Sequence, residues 1–364
     1  PILSNILLEV KNSKVRITST DLDIIYFEEV SPIEIKKEGS TTTSASILYD
    51  ILRKIQSNSK VELNLLNPNK LKLVSGNSKF NLLCLPSDNF PLSEENIEQK
   101  SFEIASQKLL KLLNKAKVSI STDETRHYLN GIYLHKKILE SKTFLCGVAT
   151  DSHRLSSSSV EIESNTEIES IILPKKTIFQ LISLLEQNNE AIKISNNKSK
   201  IKFEMESGVL ISKVIDGRFP DYDKVIPKSN EKILEIKLNE FKNSIERVTT
   251  VSSDRKEGLK MLISKDSIQL TVNNPNSGEG VEKVDAKFNS EDFTISFNSR
   301  YLTDIASYIE NESILIYFKD PGSPVLIVDP LDKNSFHVVM PMKIWFFRLN
   351  ALLDFYFFFH WVNV

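Results

Sequence analysis

FEIASQKLLKLLNKAKV, from Phe102 to Val118, and LEIKLNEFKNSIERVTTV, from Leu234 to Val251, decide the reading of this chain. They begin 132 residues apart, and each opens with a short strand-like alternation before apolar residues fall at helical spacing. A polar stretch and an alternating strand follow each one: STDETRHYLNGIYLHKK from Ser121 and SSDRKEGLKMLISKD from Ser252. The opening NILLEVKNSKVRITSTDLD (Asn5–Asp23) matches this later part of the unit. Asn5-Ile6-Leu7-Leu8 corresponds to Asn130-Gly131-Ile132-Tyr133, and Thr20-Asp21 to Thr150-Asp151. Such self-similarity is the signature of tandem repeats.

A second helix recurs in SASILYDILRKI (Ser44–Ile55), PKKTIFQLISLL (Pro174–Leu185) and NSRYLTDIASYI (Asn298–Ile309). Strand-like runs separated by Asn, Ser, Lys or Pro fill the remainder and read as antiparallel hairpins. They include KLKLVS and KFNLLCL, then KIKFEM and VLISKV, then ILIYF, VLIVD and FHVVM. The expected fold class is α+β: three tandem repeats, each with two helices packed on antiparallel sheet. The first repeat lacks its first helix, which fits a truncated N-terminus.

Composition bounds the function. The 364 residues, 41.5 kDa, suit two or three domains. Glycine is scarce, with 10 in the chain, and neither GxGxxG nor GxxxxGK[ST] occurs, so the usual nucleotide cradles are absent and no cofactor is expected. The five histidines include no HxxxH or HExxH, so no metal site is expected. Cys84 and Cys146 form no CxxC and read as structural thiols of a reducing, cytoplasmic compartment. Residues 345–364 hold both tryptophans and six of the twenty phenylalanines. Arg348, Asn350, Asp354, His360 and Asn363 interrupt this stretch, which reads as an atypical C-terminal extension, frameshifted or read through, rather than a membrane span.

The net charge of −2 hides a division, because the five recognisable helices together carry +5. Arg53 and Lys54 stand on the first of them, and Lys108, Lys111 and Lys115 on the next. Helices with a basic bias that face one way would line a path for a phosphate backbone without reading sequence. Thr150-Asp151-Ser152-His153-Arg154 sets Asp, Ser and His side by side, and a hydrolase using Asp151 and His153 is the alternative reading. Catalytic triads gather such residues from separated positions, however, and no GxSxG occurs.

RHYLNGIYL, VATDSHRL, IDGRFPDYDKVIP, NNPNSGEG, SFNSRYL and VVMPMKI, in that order, resemble the landmarks of the bacterial DNA polymerase III beta subunit, the beta sliding clamp. The resemblance runs from Pro1 to Ile344. It implies a non-catalytic processivity factor of DNA replication, a head-to-tail homodimer whose six domains ring sequence-independent double-stranded DNA. It implies domains at 1–98, 99–226 and 227–344, followed by the extension at 345–364. A truncated product of the same family, unable to close its ring, is a further alternative.

The resemblance also implies a groove between the second and third domains. It would take short apolar peptide motifs of the DNA polymerase III alpha subunit, the clamp loader and repair polymerases. Its matching positions are Leu129, Thr150, His153, Arg154, Leu155, Pro220 and Val225, with Asn298, Tyr301, Val338, Val339, Met340, Pro341 and Met342. Leu155, Pro220, Val225, Val338 and Met340 would form an apolar pocket, and Arg154 and Asn298 would hold peptide polar groups. Phe80 and Leu82 match first-domain interface positions of the dimer, and Thr250 and Val251 the facing third-domain helix. Arg126, His127 and Tyr128 lie at a loop position used for DNA. Ser152 stands where the family often has glycine, Lys224 where arginine is common, and Lys256 where an aromatic occurs.

Overall fold

The structure, a computed structural model, describes residues 2–92, 97, 101–164, 166–252 and 258–342. The expected boundary at 98/99, Lys256, the end of the third repeat at 344 and the extension at 345–364 lie outside the described residues. The chain divides into two compact units, one of Pro1–Asp151 with Ser157–Pro220, the other of Ser152–Ser156 with Asp221–Val364. The first unit holds the first two repeats, and the second unit holds the third.

Each repeat is built on a two-residue hairpin. Asn5–Lys11 pairs with Lys14–Thr20, Gly131–Leu139 with Lys142–Thr150, and Gly258–Ser264 with Ser267–Asn274. In the first two repeats both turn residues have positive φ: Asn12 and Ser13 at 51° and 63°, Glu140 and Ser141 at 47° and 66°. That backbone matches the right-handed twist of the flanking strands and fixes their register. The turn after the second strand is also repeated, with Leu22 at φ 81° and Ser152 at φ 78°. Ser152 thus occupies a left-handed position, which explains why glycine suits it.

The first unit contains an eleven-stranded antiparallel sheet spanning two repeats. The strands join where Ile24–Val30 pairs with Gly208–Lys213, with Phe27 opposite Val209 and Ile25 opposite Ile211. Lys213 Nζ bonds Asp23 Oδ1 at 3.0 Å, and Lys176 bonds Asp21, across the same junction. Burial opposes ionisation of Asp21, but Lys176 and the backbone N–H groups of Ile24 and Asp23 outweigh it and hold the carboxyl below its usual value.

Five α-helices are described: α1 (Ala45–Leu52), α2 (Ser106–Ala116), α3 (Lys175–Leu185), α4 (Leu238–Val248) and α5 (Ser299–Ala306). The apolar stripe of α2 buries Leu109, Leu112, Leu113 and Ala116, and that of α3 buries Ile178, Leu181 and Leu185. Both stripes belong to one core with Ile132, Leu145, Ile192 and Phe203. Burying each such side chain contributes about 1.5–3 kcal/mol. In the second unit Phe241 and Ile245 of α4 and Leu302 and Ile305 of α5 are buried with Phe297 and Phe318. The first repeat is thinner: α1 buries Leu48 against Leu71, Leu73 and Leu82, while Ile47, Tyr49 and Leu52 stay exposed. Its described part has one α-helix where the other repeats have two.

Close approach is tightest at Gly131, the start of the strand Gly131–Leu139. A Cβ there would lie 2.2 Å from the carbonyl oxygen of Leu173 on the neighbouring strand. Gly131→Ala is therefore expected to destabilise the first unit by about 1–3 kcal/mol. Chemical denaturation measures this, and an unchanged midpoint would contradict the packing described.

Candidate functional site

In the second unit the strand Ser335–Val339 runs into Met340-Pro341-Met342. Pro341 has no N–H to give a ladder, so regular pairing stops there. Two backbone bonds nevertheless hold the segment: Met340 N–H donates to the His153 carbonyl at 2.8 Å, and Met342 N–H to the Ser296 carbonyl at 2.7 Å. Val338 and Val339 are buried, whereas Met340 and Met342 are 43% and 39% exposed. Beneath them the Ser156 hydroxyl and His337 Nδ1 share a buried hydrogen bond of 2.7 Å.

Ser152–Ser156 belongs to this unit and sets Arg154 beside α5. The Arg154 side chain, 10% exposed, donates to Asp304 Oδ2 at 2.8 Å. Its guanidinium also lies 4.3 Å above the centroid of the Tyr301 ring. Asn298 caps α5, its side-chain oxygen accepting from the Arg300 N–H at 3.0 Å. Both polar groups expected to greet a peptide thus already have work within the fold. Leu155 is buried, His153 is exposed, and Val225, 51% exposed, ends the short turn Tyr222–Val225. Through the His153 bond the exposed Met340 is tied to the segment that carries the Arg154–Tyr301 stack, an adaptable apolar side chain next to an aromatic one.

The remaining groove positions lie in the first unit. Leu129 is buried, Thr150 half-buried and Pro220 exposed. Here the structure brings together two motifs far apart in sequence. Phe219 stacks on Tyr133 with ring centroids 4.9 Å apart, His127 Nε2 donates to the Asp216 carbonyl at 3.2 Å, and Gly217 packs against Tyr128. The IDGRFP segment is thereby pinned to the Arg126–Leu134 segment just before Pro220.

Among the proposed DNA contacts, Arg53, Lys54 and Lys108 are exposed and Lys111 is half-buried. Lys115 is a correction: it is 2% exposed, so its ammonium faces the fold rather than a phosphate backbone. His127 is exposed, Tyr128 is half-buried, and Arg126 Nε donates to Asp123 Oδ2 at 2.8 Å. The Thr125 hydroxyl and then Arg126 hold the Asp123 carboxyl below its usual value. Of the interface positions, Leu82 is buried and Phe80 half-buried against the first repeat's own core, Thr250 is exposed and Val251 half-buried. Asp304, Ser156 and His337 were missed by sequence reasoning. Only Asp304 left a signal, standing three residues after Tyr301 and so on the same helical face.

The chain matches the family models of the DNA polymerase III beta subunit in order: the N-terminal domain over residues 1–94, the central domain over 103–221 and the C-terminal domain over 223–343. It is 37% identical to the beta sliding clamp of Caulobacter vibrioides over 346 residues, covering 94% of this chain and 93% of that one. With the beta sliding clamp of Escherichia coli it shares 28% over 344 residues, again covering 94% and 93%. The crystal structure of the Bartonella birtlesii sliding clamp bound to griselimycin superposes with a TM-score of 0.90 at 37% identity, covering 94% of this chain and 92% of that one. The Caulobacter crescentus clamp gives 0.89 at 37% identity, with the same coverage.

Repeated clamp domains of this kind define a sliding clamp, a non-catalytic protein that confers processivity on a DNA polymerase. The chain belongs to the DNA polymerase III beta subunit family. The relatives favour neither the hydrolase reading of Asp151 and His153 nor that of a defective family product.

Because Ser156 and His337 bind each other out of water, Ser156→Ala removes one buried hydrogen bond. The expected loss is about 1–2 kcal/mol in the second unit. Urea unfolding of the variant measures it, and wild-type stability would show the bond to be dispensable.

Proposed function

We propose that two copies of this chain close head to tail into a ring around double-stranded DNA, and that the ring tethers polymerases through the Met340 surface. The observation that carries this reading is the junction between repeats. The last strand of the second repeat, Gly208–Lys213, completes the edge of Ile24–Val30 in the first. The corresponding last strand of the first repeat, Ser78–Leu85, is paired along Ser78–Leu83 on one side, by Lys70–Ser75, among the described residues. The third repeat's counterpart of Ile24–Val30, Gly278–Phe288, is paired along Gly278–Asp285 on one side, by Ser267–Asn274, among the described residues. A second copy supplies to each edge the partner it lacks. The proposed domains are 1–98, 99–226 and 227–344.

Arg53, Lys54, Lys108 and Lys111, with Arg126, His127 and Tyr128, are the proposed contacts to DNA, sequence-independent and weak enough to slide. The partner surface comprises Met340, Met342, Val225, Leu155 and Tyr301, with Leu129, Thr150 and Pro220 as the further family positions. Its partners are short apolar peptides of the polymerase alpha subunit, the clamp loader and repair polymerases. Griselimycin, bound to the Bartonella clamp, is a ready probe for this surface. A replication clamp works in the cytoplasm, and no described helix is long and apolar enough to cross a membrane.

The ring is tested by loading the protein on nicked circular DNA and then linearising it. Retention on the circle with loss from the linear form is expected, and equal retention on both contradicts a topological hold. For the partner surface, Met340→Ala is expected to weaken griselimycin roughly ten-fold, as truncation of a central apolar contact does. Calorimetric titration reads this, and wild-type affinity would remove Met340 from the site.

A further inference from the structure

Asp304 is not among the positions that family resemblance brings to the partner site, yet its carboxylate holds a charged side chain embedded there. Arg154 is 10% exposed on its side chain, bonds Asp304 at 2.8 Å and lies 4.3 Å above the Tyr301 ring. Tyr301 and Asp304 stand three residues apart on α5, so ring and carboxylate meet the guanidinium from one helical face. A cation so nearly out of water needs its counter-charge. Without this carboxylate the guanidinium loses one of its anchors, and the planar plate against which Tyr301 rests is less firmly held.

Arg154 follows His153, whose carbonyl accepts the Met340 N–H. Its rotamer and the placing of Met340 are therefore coupled through one short segment, Ser152–Ser156. We propose that Asp304 is a positioning residue of the partner-peptide site: it clamps Arg154 across Tyr301, so that the Tyr301 wall and the Met340 floor are set before a peptide arrives. Preorganisation of this kind raises affinity without adding a contact to the ligand. The inference rests on the Met340 surface being the partner site.

The test is calorimetric titration of griselimycin into the full chain and into Asp304→Asn, Asp304→Glu, Arg154→Gln, Met340→Ala and the Asp304→Asn/Arg154→Gln double variant, with melting temperatures recorded alongside. Asp304→Asn and Arg154→Gln are each expected to lose roughly five- to thirty-fold in affinity, and the double variant no more than the worse single one, because both break one linkage. Asp304→Glu restores most of the affinity, which a loss of general stability in Asp304→Asn would not explain. Wild-type affinity in Asp304→Asn, or losses that multiply in the double variant, overturns the proposal while a weakened Met340→Ala leaves the partner site standing. Wild-type affinity in Met340→Ala as well shows that the partner site itself was misread.

Discussion

An antiparallel sheet that ends in open edges invites pairing with whatever strand comes near, and a protein built of repeats must direct that pairing. In this chain the pairing of Ile24–Val30 with Gly208–Lys213 does so. The first repeat leaves one edge open, and the last strand of the next repeat fills it. In the first two repeats register is set by hairpin turns whose two residues both take positive φ, so the apolar face of each strand meets the helices above it. The helices depend on the sheet in turn. Each of α2 to α5 buries one stripe against it, and α1 exposes most of its apolar side chains where a second helix is not described.

The turn that leads into each junction has been used in two ways. After Leu22 the chain continues Asp23-Ile24-Ile25, and the site is tied down by ion pairs from Asp21 to Lys176 and from Asp23 to Lys213. After Ser152, at the equivalent left-handed position, it continues His153-Arg154-Leu155. There the charges are drawn inward, Arg154 to Asp304 and Tyr301, while His153 offers its carbonyl to Met340. What was ion-paired surface in one repeat becomes an apolar surface rimmed by methionine in the next.

Much of this was legible in the chain itself. Repeat period, hairpins and all five helices follow from alternation and helical spacing, because these patterns record which side chains must be buried. The site was legible only as a set of positions, and its internal wiring was not. Lys115 counted as a surface charge in the sequence, yet it sits on the flank of the α2 stripe and is buried. Asn298 looked like a peptide ligand and is a helix cap. Arg154 looked available and is held by Asp304, 150 residues away along the chain. Pairings across that distance leave no periodic trace, and whether a polar group is spent inside the fold is fixed by tertiary contacts.

The central claim is that the two half-paired edges complete each other between copies of the chain. Hydrogen exchange measured at rising protein concentration tests it most directly. Backbone amides of Ser78–Leu83 and Gly278–Asp285 should gain protection together as the mass moves from 41.5 kDa to twice that value, while Ile25–Phe27, already paired on both sides, stays unchanged. Exchange at the two edges that is independent of concentration, with the mass held at that of one chain, would contradict the ring.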